Sequence, residues 1–569
     1  MKLLQLFVLF FILNPLFGQV NKASDYGSPL KIPFSFSGGF GELRKNHFHT
    51  GLDFRTSGQT GIPVYAVREG SVARISVSPY GYGHALYLIH SDGRTTVYGH
   101  LSRYSPKIEE YLLEQQYRLK QFAVDLNIPV GLIPFHKGEI IAWSGNTGGS
   151  GGPHLHFEIR DTQSEKPQNP LFFLSGIRDK SSPRITSLFL YPLTESSHVN
   201  KSRNKMRIET ISANRMTKIK NQAPIEVFGD IGLGIQTDDD FDGAGFKCGI
   251  YSAELIADQK HIFSFTLDDL AFDMGRYVNS HIDYEEMMKN KRWIHRLYLQ
   301  PGNQMEIYKT DSNRGILKLT DGKVHSIKIV VTDAFNNANI FTFNLLSKNI
   351  ALPIRKLDFT EHFHQNEENE VTTDDVKIKI PKGALYDELN FVYRTSIKEN
   401  SKYSATHHIH NQYVPVHIPY YLSIKTHNIP FKYQTKAMVV SLSQSGSPSS
   451  IGGEYKDGWL TAHPRSFGDF AVLLDTIPPS IHSVGIKADK TLTDPRKIEF
   501  KISDNLSGIE MYQGEIDGNW VLFEYDAKTD SLVYTFDKKR LVSGKMHTLL
   551  LKIGDERKNV TDYKSTFYW

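Results

Sequence analysis

The sequence predicts a mainly β chain: an N-terminal antiparallel β domain with one inserted helix, followed by about three β-sandwich (immunoglobulin-like) domains. Three observations predict it. Short segments with period-two alternation, bounded by Gly and Asp turns, fill residues 30–173. One stretch among them, residues 104–126, switches to helical spacing. Beyond Pro170 the composition stays strand-like, and the chain repeats part of itself. With 569 residues, 40% of them apolar, the chain can bury several separate cores.

Taken in order, Lys2 precedes an apolar run from Leu3 to Leu13, then Pro15 and the small Gly18. This is read as a signal peptide over residues 1–18 and not as a membrane span. The expectation is an exported protein, periplasmic, envelope-associated or secreted, with no transmembrane segment in the mature chain. Cys248 is the only cysteine, so no internal disulfide is possible and stability must come from ordinary cores. Sixty-six Lys and Arg stand against 62 Asp and Glu, without a basic block, which argues against a nucleic-acid partner.

In the N-terminal domain the strands are carried by segments such as Gly70-Ser-Val-Ala-Arg-Ile-Ser-Val, Ala85-Leu-Tyr-Leu-Ile-His and Leu155-His-Phe-Glu-Ile. In the insertion, Ser105 suits an N-cap, Pro106 suits the first helical turn, and Ile108, Tyr111, Leu112, Leu119, Phe122 and Ala123 recur at helical spacing. Two readings are open: a helix covering a bare sheet edge, or a lid over a site. Further on, Gly322-Lys-Val-His aligns with Gly544-Lys-Met-His. The alignment runs without a gap through Asp333 and Asp555 to Asn337 and Asn559, and Cys248-Gly-Ile250 corresponds to Ser507-Gly-Ile509. Related sandwiches are therefore expected at 180–350 and 476–569. A third β unit, 351–475, lies between them and ends at the linker Asp475-Thr-Ile-Pro-Pro-Ser480.

The chemistry concentrates in two motifs, Phe48-His-Thr-Gly-Leu-Asp-Phe54 and Gly152-Pro-His-Leu-His-Phe-Glu158. In a strand, residues four apart lie about 13 Å apart, so His49 and Asp53 can share a metal only if the backbone turns between them. Gly51 permits that turn. His154 and His156 project from one strand face with α-carbons about 7 Å apart. By itself this pair leaves the ligand open, since either histidine or Glu158 on the same face could coordinate. Two nitrogens and one carboxylate oxygen would make a catalytic zinc site with one position free for water.

With Val97-Tyr-Gly-His-Leu101 and Trp143-Ser-Gly-Asn-Thr-Gly148 added, the motifs in this order resemble the lysostaphin-like (LytM-type) zinc metalloendopeptidases over residues 30–173. The resemblance implies one Zn²⁺ per chain held by His49, Asp53 and His156, with His100 and His154 as the catalytic histidines. Which of the two is the base stays open. Asn146 and Glu158 are candidates for orienting neighbouring groups, and Gly145 to Gly152 for lining a groove. Implied too is cleavage of peptide cross-links or stem peptides in bacterial peptidoglycan, with the C-terminal domains left for spacing, anchoring or a protein partner. The alternatives are a catalytically silent regulator of cell-wall amidases, which the complete ligand set argues against, and a surface adhesin or matrix protein working through its sandwiches. His362 with His364, and His407, His408 and His410, are expected to be solvated loop histidines. Asp238, Asp240 and Asp242 alternate as in a calcium loop but lack a glutamate at the twelfth position, so that cluster is expected to be solvated.

Overall fold

A computed structural model describes residues 25–220, 224–241, 247–353, 357–397, 399 and 402–569. The proposed signal segment and Asp242 lie outside the described residues. The chain is mainly β. No helix among the described residues is long and apolar enough to cross a membrane.

In the N-terminal domain a nine-stranded sheet has the spatial order Phe36–Gly38, Leu52–Arg55, His154–Asp161, Arg94–Gly99, His84–Ile89, Gly70–Val77 and Val124–Asn127, with two short strands appended. A three-stranded sheet, Pro63–Tyr65, Ile140–Ser144 and Leu101–Tyr104, stands beside it. Leu86, Leu88, Leu155, Phe157 and Ile159 alternate into the apolar core, as period-two patterning requires, and a register shift between Val72 and Arg74 lets Val72 and Ile75, three apart, both join them.

The inserted helix forms over Pro106–Leu119. Ser105 occupies the N-cap position but its hydroxyl makes no capping bond; Glu109 instead accepts from the Tyr104 amide. Ile108, Leu112 and Gln116 face inward, whereas Leu119 is exposed. The strand Val124–Asn127, directly after the helix, closes the sheet edge at Gly70–Val77. The outer face of the helix is covered as well. Tyr117 meets Trp520 edge-to-face at 5.2 Å, Arg540 lies over the Tyr117 ring, and Lys528 donates to the Asn146 carbonyl. The insertion thus lies between the first and last units of the chain.

A 13-stranded sheet system follows, built on the long strand Ile225–Asp240 and the hairpin Val324–Thr332 with Ala338–Ser347. Two short helices that the sequence reading missed, Val278–His281 and Tyr284–Asn290, are set into it. Two five-stranded sheets make up the next unit and two four-stranded sheets the last. The repeat is visible atom by atom. His325 and His547 bond Asp258 and Asp517 at 2.7 and 2.8 Å, and Asn337 and Asn559 bond the Asp333 and Asp555 carboxylates at 2.7 and 2.6 Å.

His407 departs from the sequence reading. It is fully buried on the strand Thr406–Ile409, stacked on Tyr393 and hydrogen-bonded to its hydroxyl at 2.9 Å. A strand with two central histidines lacks the apolar alternation that would have revealed it. His362 and His364 are exposed as expected, but both pair with Glu388, at 3.1 and 2.7 Å.

Buried histidines give the fold a pH limit. His281 and His295 share a 2.8 Å hydrogen bond, so at least one ring must be neutral. Burial holds His295 down to about 3 and His281 well below its usual value. The unfolded chain takes up these protons near pH 6.5, so stability is full above that pH and is lost as pH falls towards the folded values. At about 1.4 kcal/mol per histidine per pH unit, the pair costs about 5 kcal/mol between pH 6.5 and 4.5. Urea unfolding midpoints measured from pH 8 to 4.5 should therefore fall below pH 6.5; a flat profile would contradict neutral burial.

Candidate metal centre and active site

Register builds the site. The strand Leu52–Arg55 pairs with His154–Asp161 so that Asp53 stands opposite His156, and His156 stands opposite Gly99 on its other side. Directly opposed residues share a face with β-carbons about 5 Å apart. His49 enters from the bend that precedes Leu52, and Gly51 sits in that bend. The glycine is needed for room more than for its freedom to turn: a β-carbon there would lie 2.4 Å from the Phe157 carbonyl oxygen and 3.0 Å from the His156 ring. His100 sits where the chain leaves the large sheet for the small one, with φ of 59°. This is the left-handed region, which histidine enters more readily than branched residues.

Four histidines converge, and each has one ring nitrogen fixed by an acceptor. The Nδ1 atoms of His49, His100 and His154 face the carbonyls of Gly39, Thr147 and Gly152 at 2.8, 2.9 and 2.8 Å. Carbonyls only accept, so these nitrogens carry the protons and the Nε2 lone pairs are left for the centre. His156 is reversed: its Nε2 faces Glu158 Oε1 at 2.9 Å and its Nδ1 points inward. His49 Nε2, His156 Nδ1 and Asp53 Oδ1 form a triangle with sides of 3.1, 2.9 and 3.1 Å. Tetrahedral zinc with bonds of about 2.0–2.1 Å separates its ligands by about 3.3 Å. The donor set and its spacing therefore fit zinc with little adjustment. His154 Nε2 is 3.5 Å from the same Asp53 oxygen, and the His100 and His154 rings are 4.7 Å apart.

Electrostatics separate the roles. Burial alone would lower His156, but the hydrogen bonds to Asp53 and Glu158 outweigh it and raise it to about 9. A metal ion bound here would take the place of that Nδ1 proton. His100 is pushed down to about 3 by burial and by the charges of His154 and His156. Burial works against ionised Asp53, yet the His49 charge and the histidine hydrogen bonds hold it far below the usual carboxylate range.

Glu158, fully buried, is satisfied by Thr50 and Tyr82 at 2.6 Å each on Oε1 and by Arg160 at 2.6 Å on Oε2, besides His156. It stands behind His156 and orients it; it is not in the triangle. The Asn146 side chain makes no contact with the triangle, and its Oδ1 is buried without a partner. The orienting group in that motif is the next residue, Thr147, through its carbonyl. Arg44, which the sequence reading missed, donates to Asp53 Oδ2 at 2.6 Å and leaves Oδ1 turned to the histidines. Gly148 has φ of 66° and packs on Gly83, so the glycine run is anchored at its start, while Gly149 and Gly151 are open to solvent.

Residues 47–116, which carry His49, Asp53 and His100, match peptidase family M23. The N-terminal domain is an M23 peptidase domain of the lysostaphin type. Residues 360–475 match the Zu5-like domain. Over 131 residues the chain is 32% identical to lysostaphin of Staphylococcus simulans, covering 22% of each. Over 123 residues it is 32% identical to the DD-carboxypeptidase/endopeptidase Mpg of Neisseria meningitidis, again 22% of each. The chain thus spans 22% of the length of these curated relatives. The solved catalytic domain of lysostaphin from Staphylococcus simulans is 29% identical, covering 24% of this chain and 86% of that one, with a TM-score of 0.18. The family match takes in His49, Asp53 and His100; His154 and His156 lie beyond its end, as do the sheets that follow residue 180.

Proposed function

We propose that the chain is an exported zinc-dependent endopeptidase that cleaves peptide cross-links or stem peptides of bacterial peptidoglycan. One observation carries the reading: three ligand atoms about 3 Å apart, with His154 Nε2 3.5 Å from Asp53 and the His100 ring 4.7 Å from that of His154. Lysostaphin and Mpg, by their names peptidases, support the class of reaction, and the basic, apolar first residues support export.

His49, Asp53 and His156 would hold the metal, which when bound polarises a scissile carbonyl and acidifies a water. The chain's own residues do the rest. His154 accepts the water's proton at Nε2 while Gly152 keeps Nδ1 protonated and the ring oriented. His100 stays neutral because burial, and then a charge on His154, disfavours its protonated form. Beyond their Nδ1 protons the two rings therefore hold one Nε2 proton between them, available to the leaving amine. Arg44 and Glu158 hold Asp53 and His156 in place, and the second sphere of such sites keeps ligands in their productive tautomer.

The test is metal analysis of the purified mature chain together with muropeptide analysis of digested sacculi. About one zinc per chain and release of fragments with newly cut peptide bonds are expected. Metal-loaded protein that releases nothing from any sacculus type, yet stimulates an amidase, would establish the regulator reading instead.

A further inference from the structure

Away from the peptidase site, one carboxylate oxygen from each of Asp179, Asp239 and Asp333 lies within 4.8 Å of the other two, and the same holds for Asp475, Asp504 and Asp555. The expectation that the acidic run of residues 238 to 242 is solvated fails at this point. Asp238 and Asp240 do pair outward with Lys247 and Arg184. Asp239, with the opposite strand parity, points inward and is only 3% exposed. Its Oδ1 is buried without a hydrogen-bond partner, and among the described residues no cation pairs with Asp239 or Asp333. A cavity opens on the cluster, lined by all three aspartates together with Asn169 and Gly39. Burying carboxylates this close together is costly, and a cation shared among them would relieve that cost.

The second cluster repeats the first residue for residue. Asp333 and Asp555 each accept from the backbone and side-chain amides of an asparagine four residues on, Asn337 or Asn559. That asparagine also donates to the carbonyl of Asp179 or Asp475, at 3.1 and 3.0 Å. Asp504 accepts from the Leu506 and Gly508 amides through Oδ2, and its Oδ1, like that of Asp239, is buried and bare. Asp179 and Asp475 lie in the segments that lead into the first strands, Arg184–Pro192 and Ser480–Ser483. All the shared donors are oxygens. Cys248, next to the first cluster, is replaced by Ser507 in the second, so sulfur is not part of the set. Oxygen-only carboxylate donors select hard cations over zinc.

We propose that each repeat binds one divalent cation of the calcium class through its three aspartates, fastening the entering linker to the strand ends of the sandwich. The aspartate clusters share no ligand with the peptidase centre, although Gly39, whose carbonyl fixes His49, also lines the first cavity.

Calcium titration of the full-length, chelator-treated chain by calorimetry tests this. Two calcium ions per chain are expected in the wild type and in His156→Ala, one in Asp239→Asn, one in Asp504→Asn and none in the double variant. Calcium should raise the melting temperature of the wild type by several degrees and leave the double variant unchanged. In chelator, Asp239→Asn should melt at or above the wild type, because it removes one of three clustered negative charges; an aspartate with a purely structural role would instead lose stability. A folded wild type that takes up no calcium at millimolar concentration, or whose stoichiometry survives both substitutions, overturns the proposal, and the wild-type measurement decides even if a variant fails to fold.

Discussion

His156→Ala is expected to purify without zinc and to lose peptidoglycan-cleaving activity by on the order of 10⁴-fold or more, since metal activation of water and carbonyl supplies several kcal/mol at about 1.4 kcal/mol per tenfold. The residue carries this much because it is tied on both sides. Its Nδ1 closes the ligand triangle with Asp53 and His49, and its Nε2 is fixed by the buried, Arg160-paired Glu158. Removing the ring takes away one ligand and leaves Asp53 and Glu158 each short of a partner. Two negative groups then border a void, Asp53 kept by Arg44 and His49, Glu158 by Arg160, Thr50 and Tyr82. Elemental analysis and fragment release from sacculi check the result. Retention of one zinc per chain with unaltered release would mean that the metal, or the reaction, lies elsewhere.

His154→Ala should behave differently. The substitution leaves the triangle complete, so the protein should keep about one zinc per chain while kcat/KM falls about 10²–10⁴-fold, the usual worth of a positioned general base. His100→Ala should fall within the same range, for the two rings, 4.7 Å apart, act as a unit. The double variant should then lose little more than either single one, because groups that share one proton are non-additive. Steady-state kinetics on a soluble muropeptide, with metal content measured on the same samples, decides the point. A variant that loses zinc along with activity would mark His154 as a ligand.

The sequence made some parts of this site legible and hid others for physical reasons. His154 and His156 were readable as one-face neighbours because strand parity is fixed by the period of two, and register then brought Asp53 opposite His156. Asn146 was expected only to orient some neighbouring group; the atom of that motif that fixes His100 belongs to the Thr147 backbone, which no side-chain pattern displays. Arg44 was invisible because its contact depends on how the hairpin Leu43–Arg44 with His47–Phe48 folds over the strand Leu52–Arg55. Asp239 was misread for a related reason. Among consecutive aspartates, parity decides which one is buried, and only the length and register of the strand Ile225–Asp240 fix it. In the sandwiches the repeat was plain from Gly322 and Gly544 onwards, whereas two short helices and a histidine-bearing strand were not.

The meeting of Tyr117 with Trp520, and of Asn146 with Lys528, also sets an order of events during synthesis. The hydrogen bond spans 382 residues, a closure that cannot form until nearly the whole chain has left the ribosome. The strands and histidines of the first domain all lie before residue 174 and can be complete long before then. For that interval Tyr117, on the outer face of the helix Pro106–Leu119, lacks the Trp520 ring and the Arg540 guanidinium that later meet it. Truncation of the last unit would make the interval permanent, so chains ending early should be the ones that associate with each other or with chaperones, even when their first domain is correctly folded.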